Sequence, residues 1–289
     1  MRTVLKWTGL VVGSLVALLV LAAGVLYAKG SSSIAQTYDV PVAALSIPTD
    51  SAAVARGRHL ADIYGCRDCH GADLSGQVMA DEGPFRLVAA NLTPAGAGAA
   101  YTDAAAWDRA IRHGVGADGT ALVVMPSGAY HGVSDREAAD LIAYLQALAP
   151  IENDLPPMQW YALGKVLAGG PMDPSSAVHA EPTPADSPPA GATRAYGAYV
   201  AGMMCAYCHG EGLVGAQPDD PASPYAPDLA AAGQWPPETF HRALTTGVAA
   251  DGRQMDPMMM PWTSTARMTR DEREGIRLYL ATLAERRGT

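Results

Sequence analysis

The sequence has few aromatic residues, little charge and only four cysteines for its 289 residues. Aromatic residues make up 7% of the chain, with two Phe in all, so the side chains that usually fill a core are scarce. Charged residues are 17% and hydrophobic residues 49%, which excludes a disordered chain. The net charge of −9 provides no general basic surface, so nucleic acid is excluded as a partner. The cysteines form two pairs of identical spacing, which indicates covalent or metal chemistry rather than disulfides.

An uncharged apolar run lies near the amino terminus, at residues 7–27. As a helix rising ~1.5 Å per residue, it spans the ~30 Å apolar core of a bilayer. Arg2 and Lys6 precede it, which leaves the amino terminus in the cytoplasm and exports the rest of the chain. A cleaved signal peptide is the alternative, but the run exceeds the ~7–15 apolar residues of such a peptide and no clear cleavage site comes after it. The sequence therefore predicts a retained, single-pass anchor that contacts the lipid bilayer through residues 7–27.

The rest of the chain contains one unit twice. Each copy has a C-x-x-C-H-G segment, then a helix that ends at a Gly-Val pair, a Met-Pro pair, and a capping box that opens a last helix. The corresponding positions are residues 66–71 and 205–210, Gly114 and Gly247, Met125 and Met260, and Ser134 to Glu137 and Thr269 to Glu272. No stretch alternates with a period of two for long enough to predict a sheet.

These patterns predict an all-α protein, with one transmembrane helix followed by two small helical domains. Between the copies the chain changes character and becomes rich in Pro, as a semi-rigid linker does. The expected divisions are an anchor at 1–29, a linker at 30–49, domains at 50–149 and 191–289, and a Pro-rich linker at 150–190.

The C-x-x-C-H units determine the expected chemistry. Two cysteines three residues apart lie on one side of a helical turn, where both sulfurs reach the vinyl groups of one porphyrin. The next residue, His70 or His209, supplies the proximal iron ligand, and this unit is typical of c-type haem attachment. The sequence thus predicts two haem c groups, attached at Cys66 and Cys69 and at Cys205 and Cys208.

Two other uses of paired cysteines are less consistent with the sequence. A Cys₄ zinc site made from both pairs would ignore the His after each pair and require two domains to share one metal. A thioredoxin-like redox pair requires a βαβ pattern, which surrounds neither unit.

A second axial ligand to each iron is expected from the Met-Pro pairs. Met125 is the candidate in the first copy, because the repeat places it there and no other Met is near. In the second copy Met255, Met258, Met259 and Met260 compete. Met125 lies nine residues before the capping box at Ser134, and the same distance before Thr269 selects Met260. Met125 also lies 11 residues after Gly114, and the same distance after Gly247 selects Met258. The Met-Pro pair favours Met260.

Two further polar residues are candidates for the first site. His131 lies six residues after Met125 and is either a rival ligand to the iron or a surface histidine. Arg112 ends a helix where the second copy has Thr245, and it is a candidate partner for a haem propionate.

With these motifs in place, the chain resembles a membrane-anchored tandem di-haem class I cytochrome c. The resemblance rests on both C-x-x-C-H units, the Met-Pro loops, the Asn-Leu-Thr at 91–93 and the closing helices with Tyr144 and Tyr279. The second copy departs from it at 226–229, where Ala-Pro-Asp-Leu replaces Asn-Leu-Thr. Similar domains occur in cytochrome subunits of periplasmic dehydrogenases and in di-haem subunits of haem-copper oxidases.

The resemblance implies one-electron transfer rather than catalysis, with no catalytic residue. The chain is then an electron carrier or non-catalytic subunit of a respiratory or dehydrogenase complex, in the inner membrane with its haem domains facing the periplasm. Donor and acceptor proteins are the expected partners. The alternative is a di-haem redox enzyme of the peroxidase or thiosulfate dehydrogenase type, which needs an open distal position or a Cys or His in place of Met. A redox or gas sensor would need an output domain, which the sequence does not contain.

Overall fold

The computed structural model describes residues 2–218 and 223–287. It is 52% helix and 8% strand, which confirms the predicted, mostly helical architecture. Residue 1 of the predicted anchor and residues 219–222 and 288–289 of the predicted second domain lie outside the described residues. The helices are α1 (Arg2–Ile34), α2 (Ser51–Ile63), α3 (Cys66–His70), α4 (Ala104–His113), α5 (Ser127–Tyr130), α6 (Asp135–Gln146), α7 (Ala162–Ala168), α8 (Arg194–Val200), α9 (Ala206–His209), α10 (Pro237–Thr246), α11 (Trp262–Thr265) and α12 (Arg270–Arg287).

The apolar run lies in α1, which continues past the predicted end of the anchor to Ile34. Among the described residues, this is the one helix that is long and apolar enough to cross a membrane, over Thr3–Ile34. Nearly all its side chains up to Val25 are exposed, as lipid-facing side chains would be. A helix of this kind near the amino terminus is a candidate membrane anchor or signal sequence.

The first and last helices of each copy cross at a glycine. α2 packs against α6 in the first copy, and α8 packs against α12 in the second. A Cβ atom on Gly57 would lie 1.9 Å from the carbonyl oxygen of Asp140, and one on Gly197 would lie 1.9 Å from the carbonyl oxygen of Gly275. Because no side chain fits in that space, these two glycines allow the helix backbones to touch.

The helix ends agree with the predicted sequence signals. α4 and α10 end at Gly114 and Gly247, whose φ angles of 70° and 73° are in the left-handed region that favours glycine. In the capping box of α12, the Thr269 N–H donates to Glu272 Oε2 at 2.7 Å and the Glu272 N–H donates to Thr269 Oγ1 at 3.2 Å. The predicted C-caps and this capping box are confirmed.

A small antiparallel sheet lies in the first copy, where the sequence predicts none. β1 (Gln77–Glu82) pairs with β2 (Phe85–Ala89), and β2 pairs with β3 (Gln159–Trp160). The expectation that the chain forms no sheet is therefore wrong. Neither strand of the hairpin alternates between buried and exposed residues, so the period of two is missing. The third strand comes from the distant connecting segment.

The connecting segment after the first copy is folded onto it. Trp160 of β3 packs edge-on against Phe85, with ring centroids 5.7 Å apart. The next helix, α7, packs along the last turns of α1. The Pro-rich part of the predicted linker comes after this docked segment.

The two copies pack together about an approximate two-fold relation. His59 of α2 and Tyr199 of α8 hold the same position in the repeat, two residues after the crossing glycine. His59 Nε2 lies 2.9 Å from Glu272 Oε1 of the other copy, and Tyr199 donates its hydroxyl to Glu137 Oε2 at 2.6 Å. Glu137 and Glu272 are themselves equivalent, so each copy gives the other the same contact, as in an isologous interface.

Candidate functional site

The two C-x-x-C-H units form short helical turns directly after the first helix of each copy. The first unit is helix α3. The second is divided between a π-helical turn, Ala201–Cys205, and helix α9. All four cysteines are free, and at least one of each pair is partly buried, so each pair remains available for attachment of one group.

A large cavity opens beside the first unit. It has a volume of about 670 Å³, within the ~300–1,000 Å³ range of small-molecule and cofactor sites. Most of its lining side chains are apolar. Cys66, Cys69, His70 and Met125 all contribute to its wall. The structure thus brings together the four residues predicted for the first site.

Both histidines are held in the same way by a backbone carbonyl. His70 Nδ1 lies 2.8 Å from the Ala90 carbonyl oxygen, and His209 Nδ1 lies 2.7 Å from the Pro227 carbonyl oxygen. A carbonyl only accepts, so Nδ1 carries a proton and Nε2 is the ring nitrogen left to bind a metal. Metal-binding histidines commonly have this second hydrogen bond.

The loops after the two units have the same unusual backbone. Leu74 and Leu213 have φ angles of 64° and 59°, and no other non-glycine residue described has a positive φ. Both are buried, and their carbonyls accept from Leu92 and Leu229 at 2.9 and 3.0 Å. Strained backbone of this kind concentrates at functional sites. The loops place Ala90 and Pro227 within reach of the histidines. The one sequence signal for these loops is the equal position of the two leucines, four residues after each histidine.

The environment of the cysteines suits a covalent bond better than a free thiolate. Burial raises the pKa of Cys66 to about 12 and that of Cys205 to about 12. The pKa values of Cys69 and Cys208 are also raised, again chiefly by burial. Desolvation disfavours the charged form of each sulfur, whereas a thioether carries no charge. For the same reason burial lowers the pKa of His70 and keeps its imidazole neutral, as a metal ligand must be.

The two Met-Pro pairs have the same local structure. Pro126 and Pro261 precede α5 and α11 with nearly equal backbone angles, φ −78° and ψ 55° against φ −74° and ψ 61°. The carbonyls of Met125 and Met260 each accept a hydrogen bond, at 2.7 Å, from the backbone N–H two residues later. The competing Met258 and Met259 have exposed fractions of 77% and 47%, whereas Met260 and Met255 are half-buried.

The suggestion that Arg112 pairs with a haem propionate is wrong for this structure. Arg112 is fully buried outside the cavity wall, and it donates to Asp108, to Asp135 at 2.7 Å and to the Val133 carbonyl at 3.0 Å. The two carboxylates therefore compensate its charge. His131 Nδ1 lies 3.0 Å from the Arg112 carbonyl oxygen, and His131 is not part of the cavity wall either.

The residues present fit a covalently bound porphyrin. The first cavity is large and mainly apolar, and its wall supplies two thiols, a neutral imidazole and a thioether. Those groups are the donors that c-type haem sites use. In the second copy the thiols, the imidazole and the Met-Pro turn recur with the same local hydrogen bonds.

Two known protein families match separate parts of the chain. A family model described as "Cytochrome c" matches residues 54–149. A model described as "Cytochrome C oxidase, cbb3-type, subunit III" matches residues 192–280. The comparison with curated proteins gives no match.

Proposed function

The chain belongs to the class I c-type cytochromes as a tandem of two cytochrome c domains, and from this premise we propose that it binds one haem c per domain and transfers single electrons between a donor and an acceptor protein. When bound, each haem supplies a one-electron Fe(III)/Fe(II) couple. The proposed attachment residues are Cys66, Cys69, Cys205 and Cys208, with His70 and His209 as proximal ligands.

The observation that carries this proposal is the paired support of the two histidines. Each donates Nδ1–H to a carbonyl at 2.7–2.8 Å, which fixes the tautomer and turns Nε2 away from that carbonyl. The same arrangement occurs beside two different loops. His113 and His131 make the same kind of bond, at 2.7 and 3.0 Å, but only His70 and His209 directly follow a cysteine pair, as an iron ligand of a c-type site does.

We assign the distal ligands to Met125 and Met260, with Met258 as the alternative in the second domain. The matching turns before α5 and α11 support Met260, because they place its backbone as they place that of Met125. The exposure of Met258 is that of a side chain in solvent. With haem bound, the thioethers of Met125 and Met260 would raise the reduction potentials and would leave no position for substrate.

The attachment turns lie at the interface between the domains, which favours electron transfer from one domain to the other. Asp68, inside the first unit, accepts hydrogen bonds from Ser264 and, at 2.9 Å, from Arg267. On the other side, Tyr207 of the second unit shares a groove with Ala129 of α5. Each C-x-x-C-H unit therefore faces the short helix that follows the Met-Pro pair of the other domain, α11 for the first unit and α5 for the second.

We further propose that α1 is retained and anchors the chain in the inner membrane, with both domains on the periplasmic side. Arg2 and Lys6 before the apolar run support this orientation. The packing of Gly30 against α7 supports retention, because cleavage would expose a buried face of the first domain. The chain then acts as a subunit or partner of a respiratory or dehydrogenase complex.

Optical and magnetic spectra of the purified full chain test the proposed ligands. We expect the long-wavelength Fe(III)–Met absorption band from both haems. A five-coordinate haem, or one that binds added ligands freely, would overturn the carrier and favour the di-haem enzyme, because substrate would then have an open site.

A further inference from the structure

The end of α1 is packed rigidly against the first domain. A Cβ on Gly30 would lie 1.9 Å from the Lys165 carbonyl oxygen, and a Cβ on Gly169 would lie 2.0 Å from the Leu26 carbonyl oxygen. The backbones of α1 and α7 therefore touch at two successive levels. A flexible tether does not make such contacts.

These contacts determine the height of α7 relative to a membrane. The apolar run ends at Tyr27, and Gly30 lies only ~5 Å farther along the helix. The headgroup layer on each side of a bilayer is ~5–8 Å thick. Lys165 of α7 holds its ammonium group 5.4 Å from the centre of the Tyr27 ring. Tyr is enriched in that layer, and a Lys beside it keeps its charged end in water. With α1 inserted, α7 lies among the lipid headgroups.

The first-domain cavity is joined to the same end of α1. Ile34, the last residue of α1, lines the cavity together with Pro174. The chain beyond α1 is fastened to the cavity loop as well, because the Tyr38 N–H donates to the Gly119 carbonyl at 2.9 Å. Ile34 lies ~10 Å beyond Tyr27 along the helix, so the cavity wall begins at the outer limit of the headgroups.

Apolar side chains are exposed beside this junction. Leu163 of α7 is 55% exposed. Ala162, beside it at the start of α7, is exposed as well. Exposed apolar residues that continue from a spanning helix are suited to an interface that is apolar on one side.

We propose that Ala162 and Leu163 of α7, the membrane face, rest on the phospholipid surface, so that the first domain exchanges electrons with a membrane-resident partner. The proposal rests on the proposed anchoring. Lipid is the favoured occupant because the packing of α1 on α7 sets the height of this surface whatever protein is bound. The net charge of −9 favours zwitterionic over anionic lipid.

The test uses the full chain in phosphatidylcholine nanodiscs with an environment-sensitive fluorophore on one introduced cysteine. Leu163→Cys reports on the membrane face. Val214→Cys is the matched control, because Val214 is 53% exposed in the second domain. Val16→Cys reports insertion of α1, and the wild-type chain measures labelling of the native thiols. With nitroxide lipids we expect quenching at Leu163→Cys about threefold above that at Val214→Cys, since an interfacial side chain contacts lipid.

Each other outcome overturns a stated part of the account. If nitroxide lipids quench Val16→Cys but quench Leu163→Cys no more than Val214→Cys, the anchor is retained and the proposed membrane face is wrong. If the fluorophore on Leu163→Cys were shielded from water in native membranes but not in nanodiscs, the membrane face would be assigned to a protein partner instead of lipid. Absence of quenching at Val16→Cys would overturn anchoring itself, and labelling of the wild-type chain would contradict haem attachment.

Discussion

The two domains share their attachment chemistry and differ in the structure around it. Both hold the histidine by a carbonyl 2.7–2.8 Å away, and both place the candidate methionine before a Pro-capped turn. The first domain alone carries the three-stranded sheet of the described residues and the contact with α1. The repeated parts are those that a bound haem requires. The parts found once join the first domain to the connecting segment and to α1.

The departure at 226–229 shows how a different sequence keeps the same local structure. In the first domain Asn91 Oδ1 accepts the Thr93 N–H at 2.9 Å. In the second, Asp228 Oδ1 accepts the Ala230 N–H at 2.7 Å. The turn that offers a carbonyl to the histidine therefore keeps its geometry in both copies. Only Asn91 adds a donor, to the Ile151 carbonyl at 2.8 Å, which ties the first loop to the connecting segment.

The largest expected effect comes from removing one distal ligand at a time. Met125→Ala and Met260→Ala should each abolish the Fe(III)–Met band of one haem, because Ala offers no donor. The potential of that haem should fall by a few tenths of a volt, within the ~0.8 V range that axial ligands span. Absorption spectra with a redox titration measure both changes.

Met258→Ala is the matched control for the second domain. We expect it to leave both bands unchanged, since Met258 is 77% exposed. Loss of a band in Met258→Ala and its survival in Met260→Ala would assign the distal ligand to Met258. The two domains would then use methionines at different positions of the repeat.

The next effect tests whether the helix crossings are equivalent. Gly57→Ala and Gly197→Ala each place a methyl group 1.9 Å from a carbonyl oxygen, so the helices must separate. We expect each variant to lower the free energy of unfolding by about 3 kcal/mol, at the upper end of the cost of overpacking. Denaturant unfolding of the haem-loaded chain provides the measurement.

Gly202→Ala is the control for this series, because no atom beyond its own helical turn lies within 4 Å of its Cβ position. It should be neutral or slightly stabilising, as Ala is a better helix former. If Gly57→Ala were equally neutral, the two crossings would not be equivalent.

The smallest effect concerns an interface contact that includes a titratable histidine, the hydrogen-bonded pair of His59 and Glu272. The hydrogen bond with Glu272 raises the pKa of His59 above its usual 6.5. Burial opposes ionisation of Glu272, but its hydrogen bonds with His59 and Thr269 outweigh burial and lower its pKa. The His59 contribution to stability is thus complete below about pH 6.5 and is lost as the pH rises through the raised pKa.

His59→Tyr copies the equivalent Tyr199 and should remove this pH dependence. In the wild type we expect stability to fall by no more than about 1 kcal/mol as the pH rises from 6 to 9, because water screens the partly exposed imidazole. Urea midpoints across that range measure the slope. A slope that persists in His59→Tyr would assign the dependence to another group.

Much of the site could be predicted because its signals are local. The C-x-x-C-H units, the Met-Pro pairs and the glycine helix ends lie within a few residues of the structure that they determine. The histidine partners could not be predicted, since a backbone carbonyl 18 or 20 residues away carries no side-chain signal. Arg112 illustrates the same limit. Its partner Asp135 comes from another helix, so nothing in the sequence around Arg112 indicates that they pair.

The fold shows a parallel division between local and distant contacts. Helices α4 and α6 form where periodicity and caps predict them, whereas the sheet depends on β3 from the connecting segment. The packing of α1 against α7 depends on two glycines far apart in the chain, Gly30 and Gly169. Nothing in either short segment predicts that they meet.

The most direct test of the central claim is the number of covalent haems on the intact chain. Mass spectrometry of the purified protein should give two haems on the wild type. It should give one on Cys66→Ala/Cys69→Ala and one on Cys205→Ala/Cys208→Ala, because each domain holds its own group. A single haem on the wild type, or none on either double variant, would contradict two independent sites.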